Sequence, residues 1–460
     1  MTAAPAPDFH DIALIGGGAS GVMLAIQLLR RAPAGYRIAL FEPKAPLADG
    51  VAYATRRPEH LLNVPAGKMS AFPDQPEDFV DYLRDTGVSA LPADALSKRY
   101  MPRMHYGAYL RDRLAAASAA SAGRLAIFQE EVDALQPTGA GYRLQTRSGA
   151  SVDAGQVVLA VGNALRPLPV RGAASLTTVQ RLEAWDTQAI AEVPADAAVA
   201  IIGSGLSMVD SAITLASRDH RGPIHVLSRH GLMPQPHAET APFEFDAEAL
   251  LAMPLRARMR ALRQRVAEAA AQGRPWQAVM ERLRPLGQAL WLSLDEADQR
   301  RFLRHVARQW DVHRHRIDPQ VHAQLEAMRQ SGQLQLRRAR LDAAWMAGAC
   351  VRIEARQHDG ATMALEVQRV INATGVEMRV QAMRNPLLQQ LLGEGLAVAG
   401  AHGIGIDSDV AGHVLNAAGQ ADPRMWVIGS LRIGRLWESL AIPELRAQAQ
   451  AIAEAVTAAR

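Results

Sequence analysis

A short apolar run ending in glycine, then a helical stretch, then a second apolar run, occurs twice in this chain at the same spacing. The first copy begins with DIALIG at 11–16, continues through a helical stripe of Val22, Ile26 and Leu29, and is stopped by Pro33-Ala34-Gly35. RIALF at 37–41 follows as a buried-strand pattern. The second copy begins with AVAIIG at 198–203 and continues through a stripe of Val209, Ile213 and Ala216. It breaks at His220-Arg221-Gly222-Pro223 and ends in IHVL at 224–227. Gly16 to Glu42 and Gly203 to Arg229 are both intervals of 26 positions. A strand joined to a parallel neighbour through a helix is the unit of a doubly wound α/β sheet. Its repetition at one spacing predicts two such domains in the chain.

Further strands place the copies in a larger frame. VVLAVG at 157–162 and VINATG at 370–375 are apolar runs that end in glycine, and MWVIGS at 425–430 is another strand. A helix is expected from about Pro443 onward. No low-complexity linker interrupts the chain, so the second fold is expected to be inserted into the first. The expected fold class is α/β, with two Rossmann-like dinucleotide-binding domains. The first is expected over 1–165 and 346–460, and the second over 166–345. A helical segment at about 247–330 belongs to the second, and its Arg-rich run RARMRALRQRVAEAAAQGRPW reads as a solvated helix face.

The two turns carry the candidate ligand chemistry. Gly16-Gly17-Gly18-Ala19-Ser20-Gly21 satisfies G-x-G-x-x-G between a strand and a helix. Gly16 permits the tight turn, Gly18 lets a pyrophosphate approach the backbone, and Gly21 lets the helix pack close. The helix N-terminus adds free N–H donors and partial positive charge. Glu42, at the end of the next strand, can accept hydrogen bonds from a ribose diol. The second turn, Gly203-Ser204-Gly205-Leu206-Ser207-Met208, keeps two glycines but has Met208 in the third place. Its helix must therefore pack more loosely or with a different shape. Small Ser204 and Ser207 still admit a dinucleotide. The counterpart of Glu42 is Arg229, which favours NADPH over NADH because a guanidinium can bind a 2′-phosphate that a carboxylate would repel. The bland alternative is a surface arginine at a strand end.

Bulk properties exclude several classes. The chain has 460 residues, ample for two domains. A net charge of +4, spread over 50 basic and 46 acidic residues, is too thin to imply nucleic acid without a recognition motif. The single cysteine, Cys350, excludes an intrachain disulfide, a dithiol relay and a thiolate metal cluster. No metal site is expected. The N-terminal MTAAPAPDFHD lacks a basic segment followed by an apolar run, and no stretch of 18 apolar residues occurs. The expectation is a cytoplasmic enzyme with no membrane partner.

Several segments together resemble the two-dinucleotide-domain FAD/NAD(P)-binding flavoproteins related to flavin-dependent N-hydroxylating monooxygenases. They are GGGASG at 16–21, HLLNVPAGKMSAFPD at 60–74, PRMHYGAYL at 102–110, GSGLSMVDSA at 203–212 and LSRHGLMPQPH at 227–237. WDVHRHRIDP at 310–319, NATG at 372–375 and IGSLRIGRLWESLAIPELR at 428–446 complete the set. The resemblance implies FAD in the first domain and a nicotinamide cofactor in the second. It makes Asn63, Pro65 and Met69 candidates for the isoalloxazine pocket. Gly429 resembles the glycine that closes the FAD site, with Ser430 where relatives often carry Asp. It also places Trp437 and Pro443 near the flavin ring, and Gly375 among the cofactor residues. For Trp437 the alternative is a plain core aromatic.

The implied chemistry is a relay in which NADPH reduces FAD and the flavin passes electrons on. With O₂ as acceptor, a C4a-hydroperoxyflavin would N-hydroxylate the primary amine of a small amino acid, aspartate being the first choice by resemblance. The alternative is an NAD(P)H:acceptor oxidoreductase, and a third reading is a flavin-binding module without turnover. Asn63 and His237 are the catalytic candidates, His237 having a locally bonded turn residue as its alternative. Arg103, His315 and Arg316 are candidates for the substrate. The cluster His313, Arg314, His315 and Arg316 reads equally as an anion site or as an exposed basic loop.

Overall fold

The computed structural model describes residues 9–458. The chain divides into two compact units, one of residues 9–54, 64–164 and 377–458, the other of 55–63 and 165–376. Each is α/β and each is built round a parallel sheet.

In the first unit the strand Phe9–Ile15 is central, as its continuous apolar run requires of a strand covered on both faces. It pairs in parallel with Ile38–Phe41 on one side and Ser151–Leu159 on the other. Leu125–Phe128 extends the sheet beyond Ile38–Phe41, and Ala421–Val427 extends it beyond Ser151–Leu159, again in parallel. An antiparallel hairpin, Val132–Pro137 with Tyr142–Thr146, attaches to Ser151–Leu159. The crossover helix Ala19–Arg31 buries every residue from Gly21 to Leu29. The closing helix Ile442–Ala458 starts one residue before the position expected from sequence.

The second unit repeats this order. Val199–Ile202 pairs in parallel with Ile224–Ser228 and with Arg369–Asn372. Leu334–Ala347 lies beyond Ile224–Ser228, and Arg181–Glu183 beyond Arg369–Asn372. The long strand Leu334–Ala347 then turns into an antiparallel meander with Cys350–Gln357 and Thr362–Val367. The expected boundary at 345/346 is therefore corrected to follow Val376. Arg369–Asn372 is inserted between two strands of the second sheet, so the NATG turn belongs to the second unit. An apolar strand ending in glycine has the same pattern in either unit, which is why sequence alone misassigned it. Residues 55–63 also group with the second unit.

The helical segment has its own small core of Phe243, Ala247, Leu250, Ala269, Ala278, Val279, Leu283 and Leu290. The Arg-rich helix Leu255–Ala271 buries only three residues, as a solvated face would, but one of the three is Arg258. Its guanidinium donates to the carbonyls of Met253 (3.0 Å), Leu251 (3.3 Å) and Leu290 and to Ser293 Oγ (3.1 Å). Among the described residues no helix is long and apolar enough to cross a membrane.

Candidate functional site

The two glycine turns share one wiring scheme. The N–H of Gly16 donates to the carbonyl of Phe41 at 2.9 Å, and that of Gly203 to Leu227 at 2.9 Å. On the other side, the N–H of Ala160 donates to Ile15 at 2.8 Å and that of Ala373 to Ile202 at 2.9 Å. Gly16 and Gly203 have φ of +116° and +109°. A Cβ at Gly16 would lie 2.2 Å from the Ala160 carbonyl oxygen, and one at Gly203 2.1 Å from that of Ala373. Both positions thus require glycine for backbone conformation and for space.

Each turn opens a helix with an extended glycine at its N-cap, Gly18 before Ala19–Arg31 and Gly205 before Leu206–Ser217. Neither helix has a capping side chain, so the first-turn N–H groups are available to a ligand. A Cβ at either glycine would meet nothing closer than 3.8 Å, Gly50 Cα in one case and Arg308 Nη1 in the other. That open space over bare backbone is the shape a diphosphate requires.

The third positions differ as the sequence implied. A Cβ at Gly21 would lie 1.9 Å from the Gly16 carbonyl oxygen, so that helix packs directly on its turn. Met208 carries a full side chain, completely buried in the second unit's core. The second helix is accommodated by packing rather than by close approach.

Around the first turn, Glu42 follows Ile38–Phe41 and is held by two backbone donors, Gly17 N–H at 2.8 Å and Lys44 N–H at 3.1 Å. Ser20 and Gly429, read from opposite ends of the sequence, come together. A Cβ on Gly429, whose φ is +78°, would lie 2.7 Å from Ser20 Oγ. Gln448 fixes this approach by accepting from the Gly429 N–H at 3.2 Å. Met69 is buried beside the single turn Ala66–Lys68, which Pro65 precedes. Pro443 occupies the second position of its helix, where a missing N–H costs nothing. Trp437 has φ 49° and ψ −84°, an outlying conformation for a bulky residue. Arg103 begins the helix Arg103–Ala119, close enough for its charge to act on Tyr53.

Around the second turn, Ser204 is buried, its hydroxyl donates to the Leu232 carbonyl (2.6 Å), and its oxygen lies 2.9 Å from Ser228 Oγ, from which it can accept. Ser207 is half-buried in the first helical turn. Gly375, at φ +91°, has no atom within 4 Å of a would-be Cβ. Arg229 is exposed directly after Ile224–Ser228. Arg308, for which the sequence offered no signal beyond one more arginine in a helix, donates through Nη2 to the carbonyls of Ser204 and Leu232, both at 2.8 Å.

The two catalytic candidates, Asn63 and His237, meet within the second unit. His237 Nε2–H donates to the Asn63 carbonyl at 2.9 Å. Burial first, and then the Arg316 charge, push His237 down to about 4, so the ring is neutral at physiological pH. Its backbone N–H donates to the Ile317 carbonyl at 3.0 Å. The other flavin-pocket candidates, Pro65 and Met69, lie in the first unit. The three substrate candidates are not a cluster: Arg103 is in the first unit, while His315 is exposed and Arg316 buried in the second. Arg316 is 3% exposed and ion-paired with Glu281, with its guanidinium 6.0 Å from the Trp276 ring centre. The 313–316 group is thus neither a uniform basic loop nor a single anion site, because alternate residues point to opposite environments.

Comparison with known proteins agrees with this geometry. Residues 13–164 match the family model described as FAD-NAD(P)-binding. No curated protein matches the chain. An ornithine N-hydroxylase from Kutzneria sp. 744, solved with reduced FAD, NADP+ and L-ornithine, superposes with a TM-score of 0.68. The match covers 98% of this chain and 99% of that one, at 15% identity. L-lysine 6-monooxygenase from Pseudomonas syringae gives 0.68, with 98% and 99% covered at 20% identity. The chain has the fold of these amino-acid hydroxylases. A bacillithiol disulfide reductase from Bacillus cereus, 15% identical over 98% of this chain and 100% of its own, gives 0.57. The hydroxylase fold therefore fits better than the reductase fold over the same span.

Proposed function

We propose that the chain is an NADPH-dependent flavin monooxygenase that hydroxylates the primary amine of a small amino acid, with aspartate the first substrate to test. The observation that carries this reading is the pair of identically wired glycine turns in a chain of which 98% follows the hydroxylase fold. FAD is assigned to the first unit and NADPH to the second. Bound FAD would accept hydride and activate O₂, chemistry that no side chain here supplies. Gly16, Gly18 and the first turn of Ala19–Arg31 would hold its diphosphate. Glu42, already oriented by Gly17 and Lys44, would accept from its ribose. Gly429, pressed against Ser20, would close the other side of that site. In the second unit Gly203 and Gly205 would hold the NADPH diphosphate, and Arg229 the 2′-phosphate. His237 is assigned to positioning: its Nε2 proton is committed to the Asn63 carbonyl, so it holds that backbone instead of exchanging protons with a substrate.

The test is to reduce the FAD-loaded protein anaerobically with NADPH or NADH, admit O₂, and screen amino acids and diamines. NADPH-preferring reduction, with O₂ uptake that yields a hydroxylamine from one amine, supports the reading. Rapid reduction followed by reoxidation, with no oxygenated product from any amine, would replace it with an acceptor oxidoreductase. No reduction by either nucleotide would leave a flavin-binding module.

A further inference from the structure

Three arginines from three separate elements converge on the second glycine turn. Arg229 follows the strand Ile224–Ser228. Arg338 lies in Leu334–Ala347, directly opposite Ser228 in the parallel register. Arg308 lies in the helix Ala307–Arg314. The loop after Arg229 leans on Arg338, since a Cβ at Gly231 would lie 3.1 Å from Arg338 Cβ. His230, exposed and next to Arg229 in the chain, is held below the ordinary histidine range by partial desolvation first, and then by the charges of Arg229, Arg308 and Arg338. All three guanidinium groups are therefore within electrostatic reach of the His230 ring, and no carboxylate is among the charges that act on it.

The state of each guanidinium is informative. Among the described residues neither Arg229 nor Arg338 forms an ion pair, and both are exposed. Arg308 is half-buried and fixed through Nη2 to the Ser204 and Leu232 carbonyls, while Nη1 stands 3.8 Å from the Cβ position of Gly205. Nη1 thus faces the open side of the turn, where the bare N–H groups of Leu206–Ser217 also begin. Asp311 acts on Arg308 too, but one carboxylate leaves the group with a net positive charge. Unpaired, separately anchored guanidinium groups at a helix start make a fixed receptor for phosphate oxygens.

We propose that Arg308 and Arg338 complete, with Arg229, a frame for the two phosphate groups of an adenine dinucleotide. Arg308 binds the diphosphate at the glycine turn, and Arg338 joins Arg229 on the 2′-phosphate. The inference rests on the reading of the second unit as an NADPH site. It adds one residue from the helical segment and one from the strand Leu334–Ala347. It also gives that helical segment a direct tie to the nucleotide site.

The test is calorimetric titration of the FAD-loaded full chain with 2′,5′-ADP, ADP and inorganic phosphate. The unaltered protein is expected to bind 2′,5′-ADP about tenfold or more tightly than ADP, with inorganic phosphate far weaker. Arg338→Gln should draw the two nucleotides together while leaving ADP affinity in place. Arg308→Gln should weaken both by about tenfold, preserve their ratio and flatten the salt dependence of ADP binding. A role for Arg308 confined to anchoring Ser204 would not flatten it. If Arg308→Gln lowers FAD content or melting temperature, Arg308→Lys decides: recovered ADP affinity supports the proposal and continued loss overturns it. An unchanged nucleotide preference in Arg338→Gln, or unchanged ADP binding in Arg308→Gln, overturns the corresponding assignment. Inorganic phosphate binding as tightly as ADP would reduce the frame to an unspecific anion patch. Failure of the unaltered protein to bind either nucleotide would remove the NADPH reading itself, and this inference with it.

Discussion

The carbonyl oxygen of Gly16 lies 1.9 Å from the point where a Cβ on Gly21 would stand. No side chain fits there unless the helix Ala19–Arg31 moves off its turn, and with it the N–H groups proposed to face the FAD diphosphate. Gly21→Ala is expected to destabilise the first unit by about 1–3 kcal/mol and to cut the flavin content of purified protein by more than half. The ratio of flavin to protein absorbance checks this. Full flavin content with an unchanged melting temperature would sink the assignment.

Glu42 has two backbone donors in place, Gly17 and Lys44, before any ribose is considered. Its removal takes away a turn anchor and a ribose acceptor together. Glu42→Ala is expected to raise the FAD dissociation constant by roughly ten- to a hundredfold, the range for loss of a hydrogen bond to a charged group. Glu42→Gln, which keeps one acceptor oxygen, should lose less. Fluorescence titration of the apoprotein with FAD distinguishes the two variants.

Much of this was legible in the chain itself. The interval from Gly16 to Glu42 and its repeat from Gly203 to Arg229 placed both turns, because strand, turn and crossover helix are local patterns with fixed periods. Met208 announced a differently packed second helix. What sequence could not show were contacts made by long polar side chains across distant segments. Arg308 is one arginine among many in a helical, basic stretch, and nothing in its spacing says that it reaches Ser204. Arg316 and His315 are neighbours in the chain, yet one is buried and the other exposed. Their backbone leaves a helix at that point, so helical period no longer governs which way they face. The domain boundary was misplaced for a related reason: VINATG has the pattern of a first-unit strand but pairs in the second.

Arg229 is exposed and without an ion pair among the described residues, in the place where Glu42 stands in the first unit. Arg229→Ala is expected to lower the ratio of kcat/KM for NADPH to that for NADH by about tenfold or more, mainly through KM for NADPH. Steady-state flavin reduction with both nucleotides measures it. An unaltered ratio would return Arg229 to the role of a surface arginine.

Arg258 is 4% exposed, and its guanidinium gathers the carbonyls of Leu251, Met253 and Leu290 at the centre of the helical segment. Burial lowers its pKa, with Asp298 acting in the opposite sense. Arg258→Ala would take the donor from the Leu251 and Met253 carbonyls, while Leu290 keeps Ser293 Oγ, and the expected loss is about 1–3 kcal/mol for each stranded carbonyl. Denaturant unfolding should show an early transition of the helical segment, with flavin retained by the first unit.

His237 supplies a pH dependence whose sign is fixed by its surroundings. Burial and Arg316 hold it at about 4 in the folded chain, while an unfolded histidine titrates at about 6.5. Between these values the unfolded chain binds the proton and the folded chain does not, so stability falls as pH drops from about 6.5 toward about 4. The charges that act on the ring are Arg316, Glu281 and Arg284, and the neutral ring keeps its Nε2–H on the Asn63 carbonyl. His237→Gln can preserve a donor to that carbonyl without titrating. The variant should therefore lose less melting temperature than the parent across this window, the difference corresponding to at most about 3 kcal/mol. Equal acid sensitivity of the two proteins would show that the parent's loss comes from other groups, such as His220 and His225, which burial also depresses.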